Sequence, residues 1–396
     1  MQKICCRGRI DKTLRKGVIQ MKRIMFFSES LNAGGAEAAL VRIVELLSAK
    51  HDITVVSQTD GEKHTELIKS LCNHRPFTKK SYPAFFSKLI IKGFLLLPPA
   101  VVSKLYLRGN YDIEVACCEG FSAKIIGASK RKSCKIAYIH TDFVNNPWSA
   151  GVYKGGEAEE KECYSRFDRI ICVSETIRDA FVQKYGMAEK TEVIYNLIDD
   201  SRIKTMSLEP AELNVSKRPA FLLVGNYLQV KGYDRLMSVA DRLRNDGYGF
   251  SFTVIGRPEE KHKIEALRDK FSLRDYVNLM GFEENPYKYM KQADCYICSS
   301  YAEGYSTAVC EAIICGLPVI TTDCSGMKEI FDGQEIGIIC ENSENGLYEA
   351  IKSVLDKPEL LQRYKQNALH RAEDFSYESR ARFIEEFYER QQKTDG

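Results

Sequence analysis

The sequence predicts an α/β protein made of two Rossmann-like, doubly wound domains that face each other across a cleft. Three observations carry this reading. Short apolar runs alternate with segments of helical periodicity from Lys22 to Tyr195, and the same alternation starts again at Phe221 to Val224. Between the two series lies a polar stretch, Lys204 to Arg218, that carries Pro210. In each series a strand-like run leads into a glycine-containing loop, Gly34-Gly35 in the first and Gly225 in the second, at the strand ends where open α/β sheets bind ligands. At 396 residues the chain has room for about two or three domains. The segments are 21–203 for the first domain, 204–218 for the linker, 219–375 for the second domain and 376–396 for a terminal helix.

Composition narrows the function classes. A hydrophobic share of 44% with 28% charged residues is that of an ordinary globular protein. The net charge of +3 gives no footing for a nucleic-acid partner. The chain has no apolar run of the length that spans a bilayer, so no membrane-crossing helix is expected. The 14 cysteines fall mostly inside apolar strands, as at Cys117-Cys118, Cys172, Cys295, Cys298 and Cys340, and read as small buried hydrophobes. Cys295 and Cys298, three apart on a strand, point to opposite faces and so do not suit zinc or a redox pair. Without a signal peptide, this pattern implies a reducing cytoplasm. Residues 1–20 set Lys3, Arg7, Arg9, Lys12, Arg15 and Lys16 against Asp11 and lack an apolar core. They read as a disordered extension or an upstream start, with Met21 as the working start.

Taken in order, the first strand leads through the glycine loop into a helix whose Leu40, Ile43, Val44 and Leu47 share one face. Strand, glycines and helix also fit a dinucleotide-binding domain. However, Gly34-Gly35 lacks the G-x-G-x-x-G spacing, and Asp52 precedes the second strand instead of ending it. The stretch 76–110 carries Lys79, Lys80, Lys88, Lys92, Lys104 and Arg108 and no acid, around an apolar run from Phe85 to Leu97. It reads either as a core helix with solvated lysines or as a membrane-surface helix, with lysine stems beside the apolar face, over residues 79–108. A later strand, Lys135 to Ile139, delivers His140 and Asp142 to the loop at its carboxyl end. Asp142 reads as a capping residue and Trp148 as packing. Further strands fall at 169–173 and 192–195, with a helix at 175–185.

In the second series, Arg257 follows a strand that ends at Gly256, facing the cleft. The stretch from Ala293 to Gly326 holds a strand, Ser299-Ser300, a loop, a helix opened by Ser306, and another strand from Leu317. Glu303 sits in the approach to that helix and Glu311 about one and a half turns into it. Both can face a ligand held over the helix N-terminus, whose free N–H groups and partial positive charge suit phosphate or sugar oxygens.

Glu303-Gly304-Tyr305-Ser306 through Glu311, followed by Gly316-Leu317-Pro318-Val319-Ile320, resembles the donor-site signature of the family 4 glycosyltransferases. The resemblance implies the GT-B fold, sugar transfer with retention, and a terminal helix crossing back to the first domain, with cleft closure near residues 200–218. It gives Glu303 a role at the transferred sugar and Glu311 a hold on the ribose hydroxyls. His140 would contact the donor sugar, and Gly34 and Gly35 would line the cleft beside the phosphates. Backbone N–H groups from Gly304, Tyr305, Ser306 and Thr307 would face the donor. The family pattern Gly-Arg, four residues, Lys-Gly falls on Gly225 to Gly232. Lys231 and Gly232 match it, while Asn226 stands where arginine is expected, so either Lys231 and the helix N-terminus carry more of the phosphate charge or another basic residue, Arg257 being better placed than Lys328, reaches in. The catalytic set is Glu303, Lys231 and His140, with no general base named.

No D-x-D motif occurs, Asp112-Ile113-Glu114 being the nearest, and neither metal nor cofactor is expected. The nucleotide sugar, UDP-linked first, is a substrate. The acceptor expected is a saccharide or, given the basic, apolar stretch 79–108, a lipid-linked saccharide of cell-surface polysaccharide synthesis. The protein would then sit in the cytoplasm, peripheral to the inner face of the membrane if 79–108 binds an anionic surface. Three alternatives stand beside this reading. They are an oxidoreductase, which lacks its glycine fingerprint, an epimerase of the same architecture, and a silent sugar-nucleotide-binding subunit, for which Asn226 speaks.

Overall fold

The computed structural model describes residues 20–391 other than 33, 80, 83, 214, 258 and 259. Residues 1–19 lie outside this range, and with them the expectation about the basic leader. In the first half the strands are β1 (Arg23–Ser28), β2 (Asp52–Ser57), β3 (Asn73–Pro76), β4 (Ile113–Ala116), β5 (Cys134–Ile139), β6 (Arg169–Cys172) and β7 (Thr191–Val193). They form one parallel sheet in the order β3-β2-β1-β4-β5-β6-β7. The second half supplies β8 (Ala220–Val224), β9 (Ser251–Ile255), β10 (Val277–Gly281), β11 (Cys295–Cys298), β12 (Val319–Thr322) and β13 (Gly337–Cys340). Their sheet, also parallel, runs β10-β9-β8-β11-β12-β13.

Parallel strands need crossover helices, and these cover both faces of each sheet, which is why the central strands are largely apolar instead of alternating, while the edge strands β3 and β7 stay polar. β1 is buried from Ile24 to Ser28, and every residue of β9, β11 and β12 is buried. The strand order reverses between β1 and β4 in the first sheet and between β8 and β11 in the second. Crevices open at such switch points. The loops that leave β1, β8 and β11 carry Gly34-Gly35, Lys231 and Glu303.

The helix Tyr377–Arg390 belongs in space to the first sheet. Ala381, Ile384, Phe387 and Tyr388 are buried in one cluster with Ile24, Phe26, Leu40 and Val44. The Tyr388 hydroxyl lies 3.2 Å from that of Tyr138, and Lys22 Nζ donates to Tyr388 O at 3.0 Å and Glu389 O at 2.7 Å, closing the helix C-terminus. A helix, Asp200–Ser207, crosses from the segment read as the first domain into the stretch 204–218 read as linker. Asp199 caps it by accepting from Arg202 N at 2.8 Å, and Asn285 of the second domain donates to Met206 O at 2.9 Å. The described cysteines are free thiols, all buried except the half-buried Cys72 and Cys118. Burial pushes the Cys72 and Cys340 thiols up to about 11. No helix among the described residues is long and apolar enough to cross a membrane.

Candidate active site

The second domain builds its side of the cleft from the loops after β8 and β11. β11 ends at Cys298, and the buried Ser299 and Ser300 lead into the Glu303 loop. Glu303 Oε1 receives Lys231 Nζ at 2.7 Å and Ser300 Oγ at 2.5 Å. Lys231 reaches it because Gly232 turns the chain with φ +65, and a Cβ there would overlap the Ser299 carbonyl oxygen. Burial alone would lower the Lys231 ammonium, but the adjacent Glu303 carboxylate outweighs it and holds the group above its ordinary value. The lysine is therefore charged at neutral pH. With Tyr233, Tyr296, Ser300 and Ser306, this pair lines one pocket. Ser306 is the N-cap of the helix Thr307–Ile314 but makes no side-chain cap bond, so its hydroxyl is not committed to the helix.

Glu311 sits in a separate network. Its Oε1 receives the Tyr287 hydroxyl at 3.1 Å and Arg42 Nη2 at 3.2 Å, and Arg42 Nη1 donates to Leu197 O at 2.9 Å. Arg42 comes from the helix Gly35–Leu47 of the first domain, so this ion pair crosses the cleft. Burial raises the Glu311 carboxyl above its usual range, although Arg42 and Tyr287 pull it back.

On the first-domain side, His140 follows β5. Its backbone N–H donates to Glu119 at 3.1 Å, and its ring Nε2 lies 3.1 Å from the Cys117 carbonyl. Burial lowers the ring below its ordinary value, against the pull of Glu119, so the imidazole is neutral at neutral pH. A carbonyl can only accept, so Nε2 carries the proton and Nδ1 is the acceptor. Gly304 meets this loop directly, since a Cβ there would overlap the His140 carbonyl oxygen. Asp142 caps its own loop, accepting from Val144 N at 2.8 Å and Asn145 N at 3.0 Å, and also accepts from Ser325 Oγ at 2.6 Å across the cleft.

The remaining residues singled out in the sequence are more dispersed. Gly34 is the N-cap of its helix, and the Glu37 carboxylate folds back over it; Gly35 is exposed with open space around it. Burial raises Glu37, and Arg257 pulls it down. Arg257 O accepts from Tyr227 N at 2.9 Å, which sets it beside the Asn226 loop. Its guanidinium, however, lies 3.4 Å from Asn32 Oδ1 and 5.3 Å from the centre of the Phe282 ring, so its charge faces the Gly34 side of the cleft. Lys328 is exposed and pairs with Asp323 at 2.8 Å. The Tyr305 ring is buried 5.2 Å from that of Tyr195, and its hydroxyl receives Arg380 Nη2 at 3.0 Å, which leaves its backbone for a ligand. Thr307 opens its helix, half-buried. The sequence reading missed Arg42, Tyr287 and Arg380, whose partners are far away along the chain and leave no local pattern. Ser300 was visible as part of Ser299-Ser300, though not as a partner of Glu303.

Known proteins share both the fold and the sequence pattern. A 4-alpha-N-acetylgalactosaminyltransferase of Campylobacter jejuni, named for action on N-acetylgalactosamine-N,N'-diacetylbacillosaminyl-diphospho-undecaprenol, is 28% identical over 368 residues, 90% of this chain and 96% of that one. Among solved structures, HepE of Anabaena superposes with a TM-score of 0.73 at 18% identity, over 94% of this chain and 100% of that one. TarM of S. aureus gives 0.70 at 15% identity, over 93% and 100%. Residues 33–202 match the model described as Glycosyltransferase Family 4, and residues 207–371 the one described as Glycosyl transferases group 1. Since these two matches meet between the domains and together take in every strand of both sheets but β1, the chain belongs to the family 4, group 1 glycosyltransferases and has their GT-B fold.

Proposed function

We propose that this enzyme moves a sugar from a UDP-sugar, with retention, to a hydroxyl of a lipid-linked saccharide in cell-surface polysaccharide synthesis. The observation that carries the reading is the Lys231–Glu303–Ser300 cluster at the second sheet's switch point, facing the His140 loop. Breaking the anomeric C–O bond puts negative charge on the departing diphosphate, and the charged Lys231 stands where that charge develops. Glu303 fixes the lysine and turns its other oxygen to the transferred sugar. The neutral His140 can take a hydrogen bond from a sugar hydroxyl at Nδ1 without adding charge. Glu311 would exchange Arg42 for the ribose hydroxyls. As the new C–O bond forms on the same face, the acceptor's proton passes to the leaving phosphate, so no protein base is needed. Neither metal nor cofactor takes part in this scheme. Arg257, with Asn32 and the Gly34 loop, lends positive potential in place of the arginine missing at 226.

Support for UDP comes from HepE, solved with UDP and glucose, and from TarM, solved with UDP. Support for the acceptor class comes from the diphospho-undecaprenol substrate in the name of the Campylobacter enzyme. The test is thermal unfolding with UDP, GDP, ADP and NAD, on the wild type, Glu311→Ala and Lys231→Ala. A ligand at 100 times its Kd adds about 2.7 kcal/mol, enough to move Tm by several degrees. Stabilisation by UDP that is lost in both variants is expected. Stabilisation by GDP or ADP instead would replace the donor nucleotide, stabilisation by NAD alone would overturn the reading, and no shift with any of them would count against a nucleotide-sugar site.

The acceptor-side surface supports a lipid-linked substrate. The helices Ala84–Leu96 and Pro99–Tyr106 bury Phe94 and Val102, with Phe94 packed 4.1 Å from Tyr106. Their outer side leaves Phe85 72% and Leu96 86% exposed, with Phe86 and Leu89 also exposed, close in sequence to Lys79, Lys92, Lys104 and Arg108. Each basic residue near an anionic leaflet contributes about 1 kcal/mol. The protein is expected to float with anionic vesicles at low salt, and Phe85→Ser with Phe86→Ser to abolish this. Wild-type protein that stays at the bottom of the gradient at every salt concentration would remove the membrane face.

A further inference from the structure

The short helix Met327–Phe331 of the second domain carries a carboxylate with both oxygens engaged across the cleft. Glu329 Oε2 accepts from the backbone N–H of Glu175 at 2.8 Å and the Tyr195 hydroxyl at 3.1 Å. Its Oε1 accepts from the N–H of Thr176 at 2.8 Å and the hydroxyl of the same residue at 2.7 Å. All four donors belong to the first domain. Glu175 and Thr176 open the helix Glu175–Tyr185, whose next N–H, that of Ile177, goes to the N-cap Ser174 at 3.2 Å. An acid of one domain thus completes the N-terminal cap of a helix of the other, where carboxylate and helix dipole attract.

Two further contacts tie this junction to the donor loop. Ser174 Oγ donates to Gly304 O at 3.1 Å. Gly326, the N-cap of the Glu329 helix with φ +77, packs so closely on Gly304 and Tyr305 that a side chain would strike the Gly304 carbonyl. From behind, the mostly buried Arg371 donates to Glu329 O at 3.2 Å and Ile330 O at 3.0 Å, so the carboxylate projects from a fixed base. Burial and the Glu329 carboxylate both raise Tyr195 above its ordinary value, which keeps it a donor.

We propose that Glu329 is the positioning residue of the closed cleft. By capping the helix Glu175–Tyr185 in trans, it seats the loop Glu303–Ser306 against the His140 carbonyl, and sugar transfer proceeds from the latched form. Glu329 has no contact with Lys231, Glu303 or Glu311, so breaking the latch should impair turnover and leave nucleotide binding intact. This rests on the reading of Glu303 and Gly304 as donor-loop residues, which UDP binding reports separately.

The experiment compares full-length wild type, Glu329→Ala and Glu329→Gln by UDP titration, steady-state rates at saturating substrates, and solution scattering. Glu329→Ala is expected to lower kcat roughly 10- to 100-fold while the UDP Kd moves less than about threefold. Its radius of gyration should exceed that of the wild type, and Glu329→Gln, which keeps one accepting oxygen, should fall between. A folded Glu329→Ala protein with wild-type kcat overturns the proposal, as does UDP affinity that falls in step with kcat. If Glu329→Ala does not fold, the double variant Thr176→Val, Tyr195→Phe removes two of the four bonds and leaves the backbone pair. Its kcat should drop with UDP binding retained, and an unchanged kcat overturns the latch. Failure of the wild type to bind UDP would count against the donor reading alone, since scattering still reports the cleft.

Discussion

Lys231→Ala is expected to reduce kcat by about 10²–10³-fold, the usual cost of removing one preorganised charge from a leaving group. The lysine is the cation that the structure pairs with Glu303, at 2.7 Å, inside the pocket at the β8–β11 switch point. Its removal takes the charge from the diphosphate side and also leaves a carboxylate only 11% exposed with Ser300 as its partner. Lys231→Arg should recover part of the rate, because the charge returns in a fork too broad for a seat shaped to a compact ammonium. Initial rates at saturating donor decide the matter. A Lys231→Ala enzyme within a few fold of wild type would show that the leaving group is stabilised elsewhere, with Arg257 the next residue to test.

The second large effect is expected from one methyl group. In Gly304→Ala the new Cβ would overlap the His140 carbonyl oxygen, and Val173 stands just beyond. Both sides of that contact are backbone, so no side chain can rotate away, and relief comes only by opening the cleft. Misplacement of reacting groups by about 1 Å can cost 10²-fold in rate, and kcat should fall by about that much. Because Val173 and Tyr305 beside it belong to the apolar cluster shared by the two domains, Tm should also fall, by a few degrees. Rate and UDP affinity measured on the same preparation separate this from a damaged donor site: kcat falls and Kd holds. A Gly304→Ala enzyme with full activity would mean that transfer does not need this approach of the two loops.

The order of the central strands could be read from the sequence because parallel strands there are buried on both faces. Runs such as Phe221 to Val224 therefore carry no polar interruption to blur them, whereas the polar, partly exposed edge strand Asn73–Pro76 left no such run. The positions of Lys231 and Glu303 have a related reason, since each lies in the loop that leaves a strand, β8 or β11, and in a doubly wound sheet such loops border the cleft. Glu311 lies well inside the next helix and drew its role only from the family resemblance. Contacts made between domains left no such trace. Arg42 and Glu311 are 269 residues apart, and nothing near Arg42 sets it off from a solvated helix arginine. Glu329 reads locally as an exposed acid on a short helix, and only the approach of Glu175 and Thr176 gives it partners. Arg257 was singled out by its place after a strand end, but its direction depends on Phe282 of its own domain and on Asn32 of the first, and the sequence shows neither contact. For 79–108 the sequence left core helix and surface helix open, because the apolar residues there cover more than one face. The fold buries Phe94 and leaves Phe85 and Leu96 exposed, and whether that outer side meets a membrane is the question put to the flotation experiment.

The placement of the helix Tyr377–Arg390 on the first sheet bears on the order in which the protein matures during synthesis. The second domain is contiguous, and its own apolar cluster runs from Phe221 to Tyr364, so all of its partners emerge together. The first domain is made earlier but lacks Phe387 and Tyr388, which are fully buried against its sheet, until nearly 200 residues later. The half translated first is therefore the half completed last, and its uncovered flank is the surface a chaperone would meet. Lys22 and Tyr388 touch in the finished molecule. A permuted gene that places the last helix just before Lys22 would let the first domain close as it leaves the ribosome, reversing that order.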